Sequence, residues 1–153
     1  MTLHLAHPRG WRRSGFSVIE LLVAVAIVGI LASIAVPSYG AYMTRSRVID
    51  AIAKLSDHHA RMEQYFLDRR SYIDDGGNCG VPPAAAASAD SFAMACAATS
   101  KAYLVTATGI GAKGMTGFAF TIDEAGTRVT LSVPKGWVRT SDCWTVRPDG
   151  SCV

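Results

Sequence analysis

The chain has no Lys or Arg between Ser14 and Thr44, and Glu20 is the single charged residue from Phe16 to Pro37. As a helix, this 22-residue run would measure about 33 Å, which is enough to cross a bilayer core. An ordinary secretory signal has an uncharged apolar region, so the carboxylate argues against that class of segment.

The sequence also lacks a C-x-x-C pair, the usual spacing in zinc sites, which disfavours a four-thiolate metal centre. An even number of cysteines beyond a membrane segment indicates disulfides formed in an oxidising compartment. Three pairings are possible for Cys79, Cys96, Cys143 and Cys152. The local pairing, Cys79 with Cys96 and Cys143 with Cys152, closes the shortest loops and is the one we predict.

Charge gives little support for a nucleic-acid partner. The formal net charge is +3, but three arginines precede Gly15, and from Ser71 onward six Lys and Arg face seven Asp and Glu. Glycines at 109, 111 and 114 match G-x-G-x-x-G, yet a strand follows them where a dinucleotide site needs a helix. No catalytic, metal-ligating or cofactor-binding set stands out, so we predict a protein that is not an enzyme.

The carboxylate of Glu20 needs a partner, because a charge in apolar surroundings costs a few kcal/mol. The preceding arginines indicate a cytoplasmic N-terminus and an exported remainder. Cleavage after Gly15 would free the amine of Phe16, which could pair with Glu20 of a neighbouring chain. Two simpler readings remain open, a secretory signal with a weak cleavage site at Ala35 and a plain single-span anchor.

The stretch G-FSVIELLVAVAIVGILASIAVPSY resembles the class III signal of type IV prepilins, with Gly15 before the cut, Phe16 after it and Glu20 at the fifth mature position. The resemblance implies that prepilin peptidase removes residues 1–15 and that the new N-terminus is methylated. Gly29 and Pro37 match positions where pilin helices kink or partly melt in the filament. Ser14 departs from the basic residue common before the glycine.

The resemblance implies an α+β type IV pilin fold, with a long N-terminal helix packed on a small antiparallel β-sheet head. Residues 16–37 are the apolar transmembrane and assembly helix. Residues 38–70 continue it as an amphipathic helix, since apolar positions recur at steps of three and four. Within this segment we interpret His59 as lying at the edge of the core and His58 as solvated.

Residues 71–101 are rich in Gly, Pro and Ala and are predicted as a loop region tied by a disulfide. Residues 102–153 are predicted as the sheet head, closed by a C-terminal disulfide loop. Strands are expected at 102–109, 117–123 and 127–133, with a turn at Gly126 between the last two and a possible fourth strand at 143–146.

Head motifs such as YLVTATG and the Cys-Trp ending resemble PilE- and ComP-like minor pilins. The resemblance implies an inner-membrane precursor with a periplasmic head, which enters a cell-surface pilus used in adhesion, twitching motility and DNA uptake. The implied partners are other pilin subunits, prepilin peptidase and the inner-membrane assembly machinery.

Two alternatives stay open, a DNA-receptor pilin and a type II secretion pseudopilin. For the DNA receptor, the candidate contacts are Lys101, Lys113, Arg128, Lys135, Arg139 and Arg147.

Overall fold

The apolar run and the amphipathic segment that follows it form one helix in the computed structural model of the protein. The structure describes residues 15–84 and 90–153, so most of the predicted leader lies outside the described residues. Helix α1 spans Val18–Arg69. It carries an acidic residue in its first turn and a basic residue in its last turn, which suits the helix dipole at both ends.

The chain divides into two units, Met1–Tyr39 and Gly40–Val153. In the first unit, every described side chain from Phe16 to Ile34 is exposed. By length and composition, α1 could cross a membrane, and its most apolar window has a mean hydropathy of 2.7. The helical assignment continues without interruption through Gly29 and Pro37.

The second unit contains one antiparallel sheet in the described part of the chain. Its four strands are β1 (Phe92–Ala98), β2 (Tyr103–Gly109), β3 (Ala119–Asp123) and β4 (Arg128–Ser132). They follow one another in sequence order as a simple meander. The predicted fold class, a long helix with a small antiparallel sheet, is confirmed.

Strand β1 was not predicted, and the prediction of a loop region is wrong for residues 92–98. The segment FAMACAA is poor in β-branched residues, so its composition gave little sign of a strand. Its pairing with β2 supplies the missing stability, in a register running from Phe92↔Gly109 to Ala98↔Tyr103. A tight turn joins the two strands, with the Thr99 N–H donating to the Ala102 carbonyl at 2.8 Å.

The core of this unit lies between the second part of α1 and the sheet. Four residues of the predicted helix stripe are buried, together with one further alanine: Val48, Ile52, Leu55 and Met62, and Ala51. Alternate strand residues point toward them: Tyr103, Val105, Ala107, Phe120 and Ile122. The sheet therefore covers the apolar stripe that the helix alone would expose to water.

Two connections fix the sheet. Between β3 and β4, Gly126 has a φ of 74°, and its N–H donates to the Asp123 carbonyl at 3.0 Å. Between β2 and β3, a 3₁₀ helix spans Gly111–Lys113 within the segment that resembled a dinucleotide motif. The C-terminal residues 143–146 form no full strand, and Thr145 makes an isolated bridge with Cys152.

The prediction that His58 is solvated is wrong. Its side chain is only 6% exposed and lines a cavity of about 210 Å³ together with Phe92 and Met94 of β1. The unpredicted strand thus covers the helix face that carries His58. Burial lowers the pKa of His58 below its ordinary value, while the charge of Asp57 partly opposes this shift.

Because the pKa of His58 is lower in the folded protein, the unfolded chain binds a proton first as the pH falls through about 6.5. We therefore expect the free energy of unfolding to decrease between pH 7.5 and about 5.5, above the range where most carboxylates titrate. His58→Gln should flatten this dependence, measured by urea denaturation of the detergent-solubilised protein. An equal slope in wild type and His58→Gln would contradict the assignment.

Candidate assembly helix and head surface

The N-terminal end of α1 presents an apolar surface with one carboxylate. Phe16 is 83% exposed, and Glu20 lies in the first helical turn, where the helix dipole favours a negative charge. The Leu21 N–H donates to the Ser17 carbonyl at 3.1 Å, so the helical pattern begins directly after Phe16. Phe16 and Glu20 therefore lie about one turn apart along the helix.

Gly29 lies on the same open surface, since no atom lies within 4 Å of the position that a Cβ there would occupy. Among the described residues of the isolated chain, no contact requires a glycine at this position. The side chain of Pro37 lies outside the described residues. The roles predicted for both positions in a filament stay predictions.

Both disulfides of the structure are the local pairs. Cys79 is bonded to Cys96, which ties the loop after α1 to β1. Cys143 is bonded to Cys152 and closes the C-terminal loop. In the first of these loops, Asp74 Oδ1 accepts hydrogen bonds from the Gly76 and Asn78 N–H groups at 2.9 and 2.8 Å, so its carboxylate caps a turn.

The C-terminal loop is anchored to the sheet by buried polar contacts. Trp144 is 1% exposed, and its indole N–H donates to the Thr121 carbonyl of β3 at 2.9 Å. The Thr130 hydroxyl donates to the Cys143 carbonyl at 2.7 Å and accepts from the Thr145 N–H at 2.9 Å. Each buried polar group here has a partner, which fixes the position of the loop.

A second polar cluster joins α1 to the sheet around Glu63. The hydroxyl groups of Tyr72 and Tyr103 donate to its carboxylate at 3.0 and 3.2 Å, and His59 Nδ1 is hydrogen-bonded to the Tyr103 hydroxyl. Burial, together with the nearby Glu63, raises the pKa of Tyr72 to about 12 and raises the pKa of Tyr103 as well. Both phenols therefore remain protonated donors at physiological pH.

The six candidate DNA contacts are exposed but do not form one cluster. Lys101 lies in the β1–β2 turn and Lys113 in the β2–β3 connection, at opposite ends of β2. The guanidinium of Arg128 lies 5.0 Å from the centre of the Trp144 ring, and Arg139 donates to the Leu131 carbonyl at 3.3 Å. Arg147 lines a separate groove.

Two of the candidates lie in connections that approach each other. Pro134, next to Lys135, packs against Gly117 of the β2–β3 connection, where an added Cβ would lie 3.2 Å from the Pro134 Cα. The same connection carries Lys113, whose carbonyl accepts a hydrogen bond from Arg47 Nη1 at 2.8 Å. Sequence reasoning missed Arg47, because nothing in the helical pattern shows which loop it reaches.

Other cations of α1 are held by carboxylates. Lys54 Nζ contacts Asp50 at 3.2 Å and Asp90 at 2.6 Å, and the hydrogen bond to Asp90 raises the pKa of Lys54. Arg61 contacts Asp57 at 2.9 Å. In the described part of the chain, neither Arg47 nor Lys113 belongs to such an ion pair.

Comparison with known families matches both parts of the chain. Residues 12–36 match the family described as the prokaryotic N-terminal methylation motif. Residues 37–122, more than half of the chain, match the family described as type IV minor pilin ComP, DNA uptake sequence receptor. This chain belongs to the type IV pilin family, in its PilE/ComP-like group.

Individual relatives are consistent with this assignment. The pilin is 36% identical over 73 residues to the type IV major pilin protein PilE1 of Neisseria gonorrhoeae, covering 46% of this chain and 44% of that one. It is 35% identical over 72 residues to the type IV major pilin protein PilA of Myxococcus xanthus, covering 47% and 33%. It thus spans less than half the length of these curated relatives.

A solved structure supports the fold. The pilin matches the non-core minor pilin PilV of Neisseria meningitidis with a TM-score of 0.50 and 13% identity, over 62% of this chain and 93% of that one. Type IV pilins are structural subunits, so this pilin is not an enzyme. Its methylation motif and apolar helix fit an inner-membrane precursor.

Proposed function

We propose that this pilin is a minor subunit of a type IV pilus, cleaved between Gly15 and Phe16 by prepilin peptidase. The observation that carries the proposal is the exposed apolar surface of residues 16–34, which contains a single carboxylate at Glu20. A surface of this size in water would be unfavourable, so it needs lipid in the precursor and neighbouring helices in the filament.

The pairing of charges would set the register of assembly. When the subunit leaves the bilayer, the Phe16 amine of one subunit meets Glu20 of its neighbour inside an apolar bundle. An unpaired charge in such surroundings costs about 3–5 kcal/mol, so a shift of the helices along one another is disfavoured. The disulfide-bonded head faces water, and the subunit supports adhesion, twitching motility and DNA uptake by priming or entering the filament.

Glu20→Ala and Glu20→Gln should leave membrane insertion intact and reduce incorporation into pili by at least about tenfold, because the amine loses its partner. Immunoblots of sheared pili against the membrane fraction measure the ratio. The matched control is Asp57→Asn, which removes the same charge from an exposed position of the same helix. Normal incorporation of both Glu20 variants would contradict the mechanism.

A second function, DNA binding by the head, is favoured by the family matched over residues 37–122. We propose Arg47, Lys113 and Lys135 as the contacts, since the first two are joined by a hydrogen bond and the third lies in a connection packed beside them. Three cations without carboxylate partners among the described residues could neutralise phosphates of a duplex.

Binding of duplex DNA to the detergent-solubilised pilin should weaken steeply with salt, as phosphate contacts release counterions. In the double variant Lys113→Gln, Lys135→Gln, the slope of the logarithm of the binding constant against the logarithm of the salt concentration should decrease in magnitude by about two. Mobility shift measures the binding constants. Lys101→Gln, at the other end of β2, is the matched control and should keep nearly the wild-type slope. The absence of binding at low salt would exclude this function.

A further inference from the structure

A groove in the second unit has a composition that the pilin role does not use. It has a volume of about 430 Å³ and lies between the start of the amphipathic part of α1 and the C-terminal loop. Its lining residues are Ala41, Tyr42, Thr44, Arg45, Trp137, Val146, Arg147 and Pro148. The ring of Trp137 packs edge-on against the ring of Phe118, with 4.8 Å between the two ring centres.

The charge of the groove is positive. Arg45 and Arg147 are the two ionisable cations in its lining, and the lining contains no carboxylate. Arg45 Nε is buried and has no hydrogen-bond partner among the described residues. Burial leaves this donor unsatisfied, and two guanidinium groups without a carboxylate in the lining favour an anionic group in the groove.

The carboxylate nearest to Arg147 in sequence does not neutralise the groove. Asp149 is exposed, and its Oδ1 accepts a hydrogen bond from the Ser151 N–H at 2.9 Å. That hydrogen bond, with a smaller effect from Arg147, lowers the pKa of Asp149. The carboxylate thus belongs to the turn of the C-terminal loop.

One wall of the groove follows the apolar run closely along the chain. Tyr42 follows Pro37, the end of the apolar run, by five residues. Five residues of helix rise about 8 Å, which is close to the thickness of one headgroup layer. Aromatic residues and arginines are common at this depth, where rings meet the acyl boundary and guanidinium groups meet lipid phosphates.

We propose that this groove binds the phosphate of an anionic phospholipid at the membrane surface. Arg45 and Arg147 contact the phosphate, and Tyr42 and Trp137 pack against the glycerol and the upper acyl chains. The bound lipid holds the head against the bilayer in the precursor and is released when the subunit is extracted. The proposal rests on the membrane-bound precursor and does not require the minor-pilin role.

The test uses the full-length pilin in nanodiscs, in a Trp11→Phe background. Brominated lipid quenches tryptophan at short range, and Trp144 is too buried to respond. At equal mole fraction, brominated phosphatidylglycerol should quench Trp137 more than brominated phosphatidylcholine does. Arg45→Gln and Arg147→Gln should each lower the ratio of quenching by phosphatidylglycerol to quenching by phosphatidylcholine by about fivefold. Trp137→Phe defines the background signal.

Lys101→Gln and Arg139→Gln, which remove the same charge outside the groove, are matched controls and should keep the preference. Equal quenching by both lipids, or an equal loss in the controls, would overturn the proposal.

Relief of quenching by a duplex oligonucleotide at physiological salt would assign the groove to nucleic acid instead. If the quenching of Trp137 depends on the number of pilins per disc and not on the charge of the lipid, the groove binds a second subunit instead. No pilus forms in a nanodisc, so a failed pilus role would leave this result unchanged.

Discussion

One carboxylate in the otherwise uncharged run of residues 16–37 is the constraint on which the rest of this pilin depends. From Phe16 to Ile34, every described side chain is exposed in the isolated chain, so the surface must be covered by lipid or by other helices. Lipid accepts the apolar side chains but leaves Glu20 without a partner. A neighbouring helix with a free N-terminal amine satisfies both demands, which is why processing, charge pairing and assembly are linked in this account.

In the proposed assembly the head meets a different demand, since it must keep its shape while the helix changes its surroundings. Its core is formed by its own residues, with the stripe around Leu55 covered by β2 and β3. Polar clusters at Glu63 and Thr130 join the helix, the sheet and the C-terminal loop, and the two disulfides close the loop after α1 and the C-terminal loop. The fold of the head therefore depends on its own residues and not on contacts with another subunit.

Sequence periodicity predicted the features of the fold that depend on the local pattern of residues. The helix stripe at Val48, Ile52 and Leu55 and the hairpin at Gly126 follow from spacing and turn chemistry, and both are present in the structure. Strand β1 was missed because its alanine-rich segment becomes a strand only through pairing with β2. The error at His58 has the same origin, since β1 is what covers it. Likewise, Arg45 and Arg47 gained significance only once loops distant in sequence were placed beside them.

The pairing of the Phe16 amine with Glu20 is tested most directly by the mass of the N-terminal peptide of this subunit, isolated with intact pili. Charge pairing requires a peptide that begins at Phe16, because only cleavage after Gly15 creates the amine that neutralises Glu20 of the next subunit. A subunit that enters pili with Arg12, Arg13 and Ser14 still attached would contradict it.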